Sequence, residues 1–116
     1  MVPILRIFDI EKAKEFYVGF LGCTVDWEHR FADGMPLYMQ VSRGNLVLHL
    51  SEHHGDGTPG TIIYVETHEV RELHAELAAK DYGFLRPGIS EDEIGTSIHL
   101  LDPFGNTQRV NQRPDA

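Results

Sequence analysis

Gly44-Asn45-Leu46-Val47-Leu48-His49-Leu50-Ser51 sets a Gly-Asn pair directly before a run in which leucine alternates with other residues. A Gly-Asn pair between extended runs is a hairpin signal, and strict alternation marks a half-buried strand. The pair returns as Gly105-Asn106, 61 residues later, and Gly22/Gly83 and Gly34/Gly95 keep the same spacing. Three landmarks in one register point to a duplicated unit.

The surrounding elements fit that reading. Ile4 to Phe8 reads as a strand between Pro3 and Asp9. Asp9 can cap a helix from Glu11 to Leu21, where Ala13, Phe16, Tyr17, Phe20 and Leu21 share one stripe and Gly22 ends it. Strands are expected at Thr24–Phe31, Pro36–Ser42 and Leu46–Ser51. The second copy gives a strand over Thr61–Glu66 and a helix from Thr67 or His68 that carries Val70, Leu73, Leu77 and Ala78. Strands around Phe84–Ile89, Thr96–Leu101 and Thr107–Asn111 complete it. The order is β-α-β-β-β twice, an α+β fold. The expected organisation is one domain over 1–116, with modules at about 2–51 and 61–112 joined by a flexible linker over 52–60. Each helix covers one face of its sheet, and the open faces come together around a cup, an open barrel with helices outside, within one chain or between two.

Alternation assigns side chains to the cup. Leu46, Leu48 and Leu50 pack under a helix, so Val47, His49 and Ser51 face the cavity. Leu37, Met39 and Val41 likewise leave Tyr38, Gln40 and Ser42 inside. In Thr24–Phe31 the two sets are not separable by polarity. Trp27 is expected to be buried packing, with stacking on a ligand as the alternative.

Composition limits the partners. With 10 Lys and Arg against 18 Asp and Glu the formal charge is −8, and no basic stripe is present to engage nucleic acid or an anionic membrane. No apolar run is long enough to span a bilayer, and Met1-Val2-Pro3-Ile4-Leu5-Arg6 lacks the basic region and long apolar run expected of a secretory signal. A lone cysteine, Cys23, fits small-residue packing in a reducing cytoplasm. Nucleophile elbows, phosphate loops and dinucleotide fingerprints are missing from the sequence. Among seven histidines, His49 alone sits in the cavity-facing set of an apolar strand, as a buried hydrogen-bonded residue or a ligand contact. His53 and His54, with Asp56, read as solvated linker residues; His68 and His74 ride outside the second helix, and the register of His99 is open.

Ile4-Leu5-Arg6-Ile7-Phe8-Asp9 before a helix ending Phe16-Tyr17-x-x-Phe20-Leu21-Gly22, with Asp102-Pro103-Phe104-Gly105-Asn106 before the last strand, resembles the glyoxalase, bleomycin resistance and dioxygenase superfamily (the vicinal oxygen chelate fold). Enzymes of that superfamily hold a divalent metal with four cavity-facing side chains. The resemblance carries those positions onto Val2, His49, Thr61 and Arg109. Only His49 is a good donor, whereas a catalytic metal needs about three, and a guanidinium repels a cation. The repeat by itself would match His49 with Val110, so a bulge or a different turn must separate the copies by one residue.

What the resemblance implies is therefore the bleomycin-resistance-like branch. It predicts a binding protein that uses no metal or other cofactor and sequesters a bleomycin-type antibiotic or another cationic, amphipathic compound. The implied assembly is a homodimer, with modules exchanged between chains. Trp27, Tyr38, Gln40, His49 and Arg109 are the expected ligand-binding residues, with no catalytic residue. Two alternatives remain: a lyase or dioxygenase using Zn, Ni, Mn or Fe, and a small-metabolite sensor on the same fold.

Overall fold

Asp9 begins the first helix as expected: its backbone is extended and its carboxylate accepts from the Lys12 N–H at 2.9 Å. The structure is a computed structural model and describes residues 1–80, 82, 83, 85 and 87–114. Strand β1 (Ile4–Arg6) leads into α1 (Ile10–Lys14), which widens into a π-helical segment, Glu15–Phe20. A single α-helix over 11–21 is thus corrected. The Leu21 N–H reaches back five residues to the Phe16 carbonyl at 2.8 Å, the mark of a π-turn. Phe16, Tyr17 and Phe20 are all buried in this segment, with Phe16 edge-on to Tyr17 at 4.8 Å between ring centroids.

Strands β2 (Thr24–His29), β3 (Tyr38–Arg43) and β4 (Leu46–Ser51) follow, then β5 (Ile62–Glu66), α2 (Val70–Ala78), β6 (Ile89–Glu91), β7 (Thr96–Leu101) and β8 (Thr107–Gln112). The second helix starts two to three residues later than expected, after Glu69. Of the strand foreseen around Phe84–Ile89, Phe84 lies outside the described residues, and the observed strand starts at Ile89. Each copy builds a four-stranded mixed sheet in the same order, β1-β4-β3-β2 and β5-β8-β7-β6. The first and last strands of each copy pair in parallel, and the other neighbours are antiparallel.

Two compact units result. One contains Met1–Thr61 with Asp102–Asn106; the other contains Ile62–Leu101 and the chain from Thr107 onward. In the first, alternating Met39, Val41, Leu48 and Leu50 join Leu5, Ile7, Ala13 and the π-segment aromatics in a core closed to solvent. Each fully buried apolar side chain contributes about 1.5–3 kcal/mol. In the second, α2 lies against β7 and β8, and Val70, Leu77, Ile98, Leu100 and Val110 are buried.

The Asp102–Asn106 motif acts as a clasp in the first unit. Asp102 Oδ1 accepts from the backbone N–H groups of Phe104 and Asn106, each at 2.8 Å. Its Oδ2 accepts from the buried Tyr17 hydroxyl at 2.5 Å and from Asn106 Nδ2 at 3.0 Å. Asn106 Nδ2 also donates to the Arg6 carbonyl at 3.0 Å, tying the turn to β1. Gly105 holds φ at 90°, which glycine adopts without strain.

The clasp also explains why the repeat alone misassigns the faces of the last strand: the two turns differ by three residues, and any odd difference acts on the faces as a shift of one does. Arg43 pairs with Leu46 across a two-residue turn, whereas Leu101 pairs with Thr107 across five residues. A one-residue change of register exchanges the faces of a strand. Arg109 therefore lies on the exposed face, like His49 on its own sheet, and Val110 is buried.

Candidate functional site

Three strands of the first unit converge on one wall. Gln40 lies between His49 on β4 and Trp27 on β2, and Tyr38 lies between Ser51 and His29. The wall is the sheet face opposite the buried Met39, Val41, Leu48 and Leu50. The register of β2 shifts between Val25 and Trp27, with Asp26 as the additional residue. That bulge puts Trp27 and His29 on the face of Tyr38 and Gln40, which simple alternation along β2 does not do. Trp27 is accordingly 41% exposed, which corrects the expectation of buried packing.

The rings are ordered. Trp27 stacks nearly parallel to Tyr38, with centroids 6.0 Å apart and planes inclined by 10°. His49 stands edge-on to both, at 5.2 Å from Trp27 and 5.1 Å from Tyr38. Its two nitrogens are engaged: Nδ1 with the Tyr38 hydroxyl at 2.6 Å and Nε2 with Gln40 Oε1 at 3.0 Å. Gln40 Nε2 in turn donates to Asp26 Oδ2 at 3.0 Å. Hydrogen bonds from Gln40 and Ser42 hold the Asp26 carboxyl below its ordinary value of 3.8.

A cavity of about 540 Å³ opens beside this wall, lined by Trp27, His29, Phe31, Tyr38, His53, His54 and Asp56. The linker residues were expected to be solvated, but 52–56 is anchored. The Glu52 N–H donates to the Leu37 carbonyl at 2.9 Å, and Glu52 Oε1 accepts from the Leu37 N–H at 3.0 Å. Ser51 Oγ donates to Asp56 Oδ2 at 2.9 Å and accepts from the His53 N–H at 3.0 Å. His53 Nε2 is buried without a hydrogen-bond partner among the described residues. The sequence cue was the run Ser51-Glu52-His53-His54-Gly55-Asp56, polar groups able to bond their own backbone directly after a strand.

Burial, followed by the charge of Asp56, raises the Tyr38 phenol above its ordinary value of 10.0. The folded chain thus holds this proton more tightly than the unfolded chain. The resulting stabilisation is complete below about pH 10 and is lost as pH rises through the folded value. Urea denaturation at about pH 8 and pH 11 is expected to show a smaller alkaline loss of stability in Tyr38→Phe than in the parent chain.

Arg109 lies in the other unit, on the exposed face of its sheet between Tyr64 and His99, so the register of His99 is now assigned. The structure thus brings Trp27, Tyr38, Gln40 and His49 together and carries Arg109 on a separate sheet. His68 is exposed ahead of α2, whereas His74 is half-buried and bonded to the Pro87 carbonyl at 3.0 Å, unlike the outward position expected. Cys23 is buried, as small-residue packing requires.

The superfamily's metal does not fit the residues present. Val2 offers no donor, Arg109 is a permanent cation, and the Thr61 hydroxyl is turned to the Thr58 carbonyl at 2.8 Å. His49 has both nitrogens committed within the wall. Among the described residues no group of three or more His, Cys, Asp or Glu side chains is placed to hold a metal ion.

Comparison with known proteins agrees with the architecture. The bleomycin-binding protein of Streptomyces verticillus, solved with copper(II)-bleomycin, is 28% identical with a TM-score of 0.67, over 97% of this chain and 93% of that one. A glyoxalase/bleomycin resistance protein from Streptomyces sp. CB03234 superposes with a TM-score of 0.73 at 23% identity, over 96% and 97% of the two chains. The trypanothione-dependent glyoxalase I of Leishmania major gives 0.66 at 21% identity, over 96% and 84%. No curated protein matches the sequence. The family model described as glyoxalase superfamily protein matches residues 1–116, and the chain belongs to that superfamily.

Proposed function

We propose that this protein binds and sequesters a planar, cationic or amphipathic small molecule of the bleomycin type, without a metal of its own. The observation that carries the reading is the parallel Trp27–Tyr38 pair, braced by His49, at a cavity of about 540 Å³ that also presents the Asp56 carboxylate. Aromatic faces and carboxylates are what a flat cation needs, and pockets of this size suit drug-sized ligands. The likeness to the Streptomyces verticillus bleomycin-binding protein adds support. Trp27 and Tyr38 line the pocket, and Gln40 and His49 stand behind them.

A cytoplasmic homodimer is part of this reading. Ile62, Tyr64 and Leu101 leave an apolar sheet face more than half exposed in the second unit, a surface a second copy would cover. Light scattering is expected to give twice the chain mass of 13.1 kDa.

Titration calorimetry with metal-free bleomycin in the presence of EDTA tests the ligand. Saturable heat at micromolar concentration is expected, and no heat at high micromolar concentration would overturn the drug assignment. Elemental analysis of gently purified protein separates the enzyme alternative, which requires a stoichiometric metal.

A further inference from the structure

The wall carries a one-way chain of hydrogen bonds that runs from Asp26 to Tyr38. Asp26 is a carboxylate and can only accept, so the Gln40 amide must turn its NH2 group toward it. That leaves Gln40 Oε1 facing His49 Nε2. A carbonyl oxygen also only accepts, so Nε2 must carry the hydrogen. In the neutral ring Nδ1 is then a lone pair, and the Tyr38 phenol must donate to it across 2.6 Å. Every step is set by the one before, and the first is set by a permanent acceptor. The phenol, held protonated by burial and by Asp56, has its single hydrogen spent inside the wall.

The effect at the cavity is a fixed polarity. Tyr38 has only oxygen lone pairs left to offer. Asp56, held by the Ser51 hydroxyl, is likewise an acceptor. The His29, His53 and His54 rings that complete the polar lining each carry one donor and one acceptor nitrogen when neutral, so the fixed polarity is that of Tyr38 and Asp56.

We propose that Asp26 and Gln40 are positioning residues. Through His49 they turn Tyr38 into an acceptor, so that the cavity selects cations bearing N–H donors over equally charged cations without them. The proposal rests on the small-molecule reading above and narrows its ligand to amidinium, guanidinium or primary and secondary ammonium groups on an aromatic body. A quaternary cation gains the ring stacking and the charge but no hydrogen bond.

Two measurements at about pH 8, where an imidazole is neutral, test this. The first is the 15N spectrum of the His49 ring, which needs no ligand. The parent chain is expected to show hydrogen on Nε2 alone. Gln40→Met and the exposed-site variant Asp26→Ala, each checked for folding by circular dichroism, are expected to show a mixture of tautomers. Hydrogen on Nδ1 in the parent chain, or no change in either variant, would overturn the relay.

The second is a chemical-shift titration with benzamidinium and with phenyltrimethylammonium, which carry the same charge on the same ring. Benzamidinium is expected to bind about tenfold more tightly, the worth of one charge-assisted hydrogen bond. In both variants that ratio is expected to fall toward one, and in Asp26→Ala the affinity for phenyltrimethylammonium is expected to stay unchanged. Equal affinities in the parent chain overturn the proposal and leave the binding reading standing. Failure of both cations to bind at millimolar concentration overturns the binding reading and the selectivity with it.

Discussion

Asp102→Ala is expected to lower the unfolding free energy by about 3 kcal/mol. The carboxylate answers four donors: the Tyr17 hydroxyl, the Asn106 side-chain amide and the backbone N–H groups of Phe104 and Asn106. Tyr17 and Asn106 are fully buried, so water cannot replace the lost acceptor without reopening the core. Domains of this size are stable by about 5–15 kcal/mol, and a loss of that order lowers the melting temperature by roughly 10 °C or more. Tyr17→Phe, which removes one of the four donors, is expected to cost about 1–2 kcal/mol. Thermal denaturation of both variants checks the ranking. An Asp102→Ala protein as stable as its parent would mean that the clasp contributes nothing net.

Trp27→Ala is expected to weaken binding of a flat cationic ligand by at least about thirtyfold while leaving the fold intact. The indole supplies one face of the Trp27–Tyr38 pair and much of the apolar wall beside the cavity. Aromatic anchors of this kind are worth about 2 kcal/mol or more when truncated. Because Trp27 is 41% exposed, its removal opens no hole in the core, and the melting temperature is expected to move by only a degree or two. Calorimetry with metal-free bleomycin in EDTA, run beside a melting curve, separates the two effects. Unaltered affinity would place the ligand elsewhere.

The parts of the site that could be read from the sequence are those where one simple period holds. Tyr38, Gln40 and His49 lie on strands without irregularity, so alternation with Met39, Val41, Leu48 and Leu50 assigned their face correctly. Trp27 escaped that logic, since a bulge at Asp26 resets the alternation and leaves no mark in residue polarity. His53 and Asp56 were obscured by the glycines around them, which signal mobility. Their order comes from hydrogen bonds between Ser51, His53 and Asp56 that composition does not reveal. The duplicated element order followed from the glycine spacing, but the π-segment did not, because its stripe of aromatics also suits an ordinary helix. Arg109 needed the longer turn at Asp102–Asn106 to be distinguished from Val110.

The extra residue at Asp26 has an evolutionary side. Losing that single codon would straighten the strand and leave the indole opposite Gln40, while removing the carboxylate to which Gln40 Nε2 donates. Relatives with the same scaffold could therefore shed the polar side of this edge strand in one step and keep its aromatic wall.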